Sequence, residues 1–135
     1  MVKDGITIAG AEGVYCCKFS LDDDYFVALY LNAEMDNGTS RHVSTNEVRG
    51  QGYTAGGKQL STPRVVMDGN CFVWDFDDVV WQASTITADS ALIYNRSKSK
   101  SLSIFSFPQT VSKNGAWRLY MPAPTSSDGV VRFYF

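Results

Sequence analysis

The sequence predicts an all-β fold: a single-domain antiparallel β-sandwich, jelly-roll-like or Ig-like, with an extended Gly-rich N-terminal arm over residues 1–20 and the sandwich over residues 21–135. Three observations predict it. Short runs rich in Val, Ile, Tyr, Phe and Trp recur along the chain, and such residues fit a pleated, half-buried surface. Asp68-Gly69 and Asn114-Gly115 fall between such runs, and these dipeptides close hairpins. No amphipathic helix longer than two turns stands out, and no repeat of solenoid period is present.

In chain order, Ile6, Ile8, Ala11, Val14 and Cys16 alternate with small residues, with Gly5, Gly10 and Gly13 among them. Each glycine weakens a helix by about 1 kcal/mol, so this arm is expected to be extended, with one or two short strands. Asp22-Asp23-Asp24 reads as an acidic turn. Tyr25 to Leu31 is a continuous apolar run whose aromatic content and length suit a buried strand. Residues 32–46 are polar, contain Asn37-Gly38 and read as a long loop.

Glu47 to Leu60 is the stretch around which the rest is arranged. Gly50, Gly52, Gly56 and Gly57 fall around a single Tyr53. Glycine adopts positive φ without steric penalty, so this stretch is expected to be an ordered connection in which the backbone folds around an inserted Tyr53. Pro63 then blocks any helix. Arg64 to Met67 and Cys71 to Phe76 read as a hairpin, with Phe72, Trp74 and Phe76 on one strand face. Asp77-Asp78 interrupts, and Val79-Val80-Trp81 resumes. Thr85 to Ala88 and Ala91 to Tyr94 are two further strands. Asn95 to Lys100 is a Ser/Lys-rich hairpin loop. Strands are expected at Leu102 to Phe107, at Trp117 to Met121, and from Val130 to the last residue.

Composition narrows the function. The 135 residues are 44% hydrophobic, 13% aromatic and 19% charged, enough to bury a core without disulfides or metal. A net charge of −2 with scattered lysines and arginines gives no basic stripe for phosphates, so neither nucleic acid nor an anionic membrane is expected as partner. No run reaches the roughly 18 apolar residues of a membrane span. The opening Met1 to Gly5 is not followed by a signal-peptide core, so synthesis and retention in the cytoplasm, or exit by another route, is expected. Cys16, Cys17 and Cys71 lack metal spacing and are expected to be buried reduced thiols, with a disulfide from Cys71 left open.

The order and spacing of several motifs carry a resemblance. Glu47-Val48-x-Gly50-x-Gly52-Tyr53-Thr54-Ala55-Gly56-Gly57, Asp77-Asp78-Val79-x-Trp81, Ser84-Thr85-Ile86-Thr87-Ala88 and Ala91-x-Ile93-Tyr94 together resemble the core of a family of small tailed-bacteriophage virion structural proteins. The likeness runs from about residue 25 to the C-terminus. It implies a β-rich component of the particle, on the head surface or at the neck or tail. Asp89-Ser90 departs from the family, which tends to have a basic residue there, and the arm before residue 20 is outside the shared core.

Gly52-x-x-x-x-Gly57-Lys58 approaches a phosphate loop, but Gln59 replaces the Ser/Thr that would hold magnesium, and Pro63 removes the following helix. His42 is the only histidine and has no triad pattern around it, so it reads as surface decoration. Asp75, Asp77 and Asp78, or Asp22 to Asp24, could offer oxygens to calcium, but a solvated bulge and turn is the simpler reading. No catalytic, cofactor or metal residues are expected, and no enzyme activity.

The expected function is adhesive. The chain binds a phage major capsid protein or neck or tail proteins within the virion, in many copies, with self-association open. Gly50, Gly52, Tyr53, Gly56, Gly57 and Trp81 are expected to determine the fold. Ile6, Ile8, Phe133, Tyr134 and Phe135 are expected to make contacts. The alternative is a carbohydrate- or receptor-binding module displaying Trp117, Tyr120 and the 32–46 loop.

Overall fold

The computed structural model describes residue 2, residues 4–121 and the backbone of residues 131–134. The elements are β1 (Gly5–Ile6), α1 (Ile8–Tyr15), β2 (Tyr25–Tyr30), β3 (Lys58–Gln59), β4 (Arg64–Asp68), β5 (Cys71–Asp75), β6 (Val79–Ser84), β7 (Thr87–Asn95), β8 (Lys100–Val111), β9 (Gly115–Leu119) and β10 (Val131–Tyr134). They form a five-stranded sheet in the order β1-β8-β7-β2-β3, a three-stranded sheet β10-β5-β4 and a two-stranded sheet β6-β9. The pairings between these strands are antiparallel. The fold is all-β and sandwich-like.

The continuous apolar run of β2 follows from its position. Tyr25, Val27 and Leu29 enter the main core, with Ala91, Ile93 and Leu102 of the same sheet, Trp74, Val79, Trp81, Trp117 and Leu119 of the other two, and Phe76 just after β5. Ala28 and Tyr30 enter a second core with Leu92, Tyr94 and Ile104, covered by Ala33, Met35 and the half-buried Val43. A strand buried on both faces loses the polar alternation of a half-exposed one. The long loop over residues 32–46 is therefore a lid on the outer face of the large sheet. Tyr30 fastens it by donating its hydroxyl to the Val43 carbonyl at 2.6 Å.

Residues 8–15 correct the expectation of an extended arm. They form a two-turn helix, N-capped by Thr7, whose Oγ1 accepts from the Gly10 amide at 2.9 Å. The cause lies in the glycines that argued against it. A Cβ on Gly10 would lie 2.3 Å from the Leu102 carbonyl oxygen, and one on Gly13 would lie 2.6 Å from the Phe19 ring. Gly10 lets the helix backbone lie directly on β8 and Gly13 makes room for the Phe19 ring, and that packing outweighs a propensity deficit of about 1 kcal/mol each.

Other departures are smaller. Thr87 to Asn95 is one strand, not two. Trp74 and Phe76 are buried, but Phe72 is 41% exposed, because β5 runs past the main core toward its turn at Gly69-Asn70. Cys16 and Cys17 are exposed at the helix end and Cys71 is buried; all three are free thiols.

Candidate functional site

The segment from Asn46 to Leu60 is an edge strand along β2 that has been cut open. Its first part pairs with the far half of β2: Asn46 accepts from the Leu31 amide at 3.0 Å, and Val48 donates to the Leu29 carbonyl at 2.9 Å. Its last part pairs with the near half, through Lys58 opposite Val27, Gln59 opposite Phe26, and the Leu60 amide donating to the Tyr25 carbonyl. Residues 49–57 leave the strand line between these two parts. Tyr53 fills the gap. Its hydroxyl accepts the Leu29 amide at 3.0 Å and donates to Glu47 Oε2 at 2.5 Å. A phenol thus supplies the acceptor that the missing strand residue would have provided.

The glycines make this excursion fit. Gly57 returns the chain to β2 at φ +86°, and a Cβ there would lie 1.9 Å from the Val27 carbonyl oxygen. Gly50 lets the outgoing backbone touch Thr85; a Cβ would lie 2.3 Å from the Thr85 carbonyl. Gly52 lies against Ser84, and Gly56 sits beside the Tyr94 hydroxyl. The Thr85 amide donates to the Gln51 carbonyl at 2.9 Å, so the loop also grips the β6–β7 junction. The Tyr53 ring lies 6.1 Å from Trp81, which meets Trp117 edge-on at 5.7 Å.

Glu47 is the polar centre of this arrangement. Its side chain is only 5% exposed. Oε2 accepts from Tyr53 and from the Gly56 amide at 2.8 Å, and Oε1 faces His42 Nε2 at 2.9 Å. A buried carboxylate requires such partners. Burial first, and then donation to Glu47, pushes the Tyr53 phenol far above the usual phenol range, so it remains a donor at any ordinary pH. His42 is thus not surface decoration. Its ring packs on Tyr94 at 5.1 Å, and the Tyr94 hydroxyl donates to the Gly56 carbonyl.

Beside this network lies a concavity of about 390 Å³. It is lined by Arg41 and His42 from the lid loop, by Ala55 and Gly56, and by Tyr94, Arg96 and Ser99. The Arg96 guanidinium lies over the Phe26 ring at 4.6 Å, and its amide donates to the Asp24 carbonyl at 2.8 Å. Burial raises the Tyr94 pKa, and the Arg96 charge opposes that rise.

Asp75, Asp77, Asp78, Asp23 and Asp24 hold other groups. Arg64 Nη2 and Nη1 donate to Asp75 and Asp77 at 2.5 and 2.9 Å, and Asp78 accepts the Met121 amide at 2.6 Å. Asp23 accepts from the Ser20 amide, Asn95 and Lys98, and Asp24 from Gln59. Among the described residues no three metal-ligating side chains cluster.

Of the residues expected to make contacts, Ile6 packs on the main core and Ile8 is 61% exposed. Phe133 and Tyr134 lie in β10, at register with Phe72 and Cys71. Phe135 lies outside the described residues. Trp117 is 2% exposed, and its indole donates to the Thr110 carbonyl, so it is core and not a displayed ring; Tyr120 is 70% exposed. A different apolar surface appears on β4, where Val65 and Met67 are 41% and 54% exposed. The cluster of Arg41, His42, Tyr94 and Arg96 was not read from the sequence, because its members come from separate segments and carry no shared spacing. Compared with family models, curated proteins and solved structures, the chain matches none.

Proposed function

We propose that this chain is a non-catalytic, adhesive structural component of a tailed-bacteriophage virion, bound to capsid, neck or tail subunits. The resemblance of the Glu47–Tyr94 motifs supports the particle context. The observation that carries the adhesive part is β4. Val65 and Met67 lie on one face of that strand, and Met67 is opposite Phe72 across the β4–β5 pair. Among the described residues β4 pairs with β5 alone. It therefore offers apolar side chains and open backbone groups together, which is what strand addition by a partner uses. Repetition over a symmetric particle multiplies a modest contact into firm attachment.

The acidic side chains Glu47, Asp23 and Asp75 are engaged by donors that orient backbone and loops, which supports a structural and not a catalytic use. The test is quantitative mass spectrometry of purified particles, comparing the unmodified chain with Val65→Lys and Met67→Lys variants of unchanged thermal stability. Stoichiometric copies of the unmodified chain and depletion of both variants are expected. Absence of the chain from particles, or full incorporation of both variants, overturns the proposal.

A further inference from the structure

We propose that the concavity between Arg41, His42 and Arg96 is a binding site for an oxyanion, the carboxylate, sulfate or phosphate group of a small ligand. Whether or not the chain belongs to a particle, three observations carry this. The first is charge: two guanidinium groups line one concavity of a protein whose net charge is −2. Among the described residues no carboxylate lines it with them. Among the described residues neither Arg41 nor Arg96 forms an ion pair, whereas Arg64, Lys18 and Lys98 do.

The second is preorganisation. Arg96 is stacked over Phe26 and its backbone is tied to Asp24. His42 is fixed between Glu47 and Tyr94. Groups held in place before a ligand arrives lose little freedom when it binds. The third is the exclusion of a competing acid. Glu47 is the carboxylate of this network, and His42, Tyr53 and the Gly56 amide occupy it. It fixes the imidazole and leaves the two arginines to an outside anion. A guanidinium matches a two-oxygen acceptor through parallel N–H donors. The volume of about 390 Å³ lies in the range of small-ligand sites, so there is room for the carrier of the anion as well as the anion.

The experiment is a two-dimensional NMR titration of the full chain with glucuronate, inorganic phosphate, inorganic sulfate and, as the neutral control, glucose. Saturable shifts of the Arg41, His42, Arg96 and Ser99 amides with at least one anion, and none with glucose, are expected. Tighter binding of glucuronate than of the inorganic ions identifies a sugar acid as the carrier; equal binding supports a site for the oxyanion alone. Arg41→Gln should weaken the anion by about tenfold or more. Arg96→Gln should do the same, but it also loses its stacking on Phe26, so Arg41→Gln decides should Arg96→Gln fail to fold. No saturable shift with any anion, equal shifts with glucose, or an unchanged affinity in Arg41→Gln overturns the proposal.

Discussion

Replacing Tyr53 with Phe removes one oxygen from the point where the opened edge strand is bridged. The ring stays, and with it the packing on Trp81 at 6.1 Å. Two groups lose their partner: the Leu29 amide, which donated to the phenol, and Glu47 Oε2, which accepted from it. Leu29 is fully buried and the Glu47 side chain nearly so, so neither gains a full complement of water. A buried donor left unsatisfied costs about 1–3 kcal/mol, and a hydrogen bond to a charged group contributes about 1.5–3 kcal/mol. Glu47 keeps Gly56 and His42, which moderates the second loss. The sum expected for Tyr53→Phe is therefore about 2–4 kcal/mol. Urea unfolding should show a lower midpoint with an unchanged slope, and amide exchange should show Leu29 exchanging faster than its neighbours in β2. A loss below about 0.5 kcal/mol with Leu29 still protected would refute the reasoning, since surface changes remain in that range.

Other predictions follow from neighbouring features. Gly57→Ala combines a positive φ with a Cβ placed 1.9 Å from the Val27 carbonyl; it should cost more than the roughly 1 kcal/mol of a left-handed alanine alone, read as a fall in Tm. Ser90→Ala should be neutral or stabilising by up to about 1 kcal/mol, because the Ser90 hydroxyl is buried and has no hydrogen-bond partner among the described residues. The Asp23 pKa lies below its ordinary value, mainly through the Ser20 amide, with Asn95 and Lys98 adding to it. Its contribution is therefore full above the ordinary carboxylate value and is lost as pH falls through the depressed one. Asp23→Asn should lower stability at neutral pH and flatten the decline in acid, measured by unfolding across that range.

How much of this was legible depended on whether the signal was local. The Tyr25 to Tyr30 run and the hairpin turn after Asp68 could be read because strand burial and hairpin closure leave marks within a few residues; Asn114-Gly115 marks a turn but closes no hairpin, since β9 beyond it pairs with β6 and not with β8. Glycines at residues 10 and 13 misled, since a residue missing its side chain looks the same whether it breaks a helix or lets one pack against Leu102 and Phe19. Phe72 and Trp74 share a strand face, but Trp74 is covered by residues far away in the chain, Tyr25 among them. Trp117 was underrated for the same reason: Trp81 and Phe107 bury it from other strands. The concavity was hidden most completely. Arg41 and Arg96 meet only because the lid loop and the β7–β8 turn converge on one end of the large sheet.

Glu47 and Tyr53 act as one unit that closes the opened edge of β2. A double-mutant cycle on Glu47→Gln and Tyr53→Phe, followed by urea unfolding, tests it most directly. A coupling of about 1 kcal/mol or more, with the double variant less destabilised than the sum of the single ones, is predicted for groups in contact. Losses that add to within about 0.3 kcal/mol would contradict the claim.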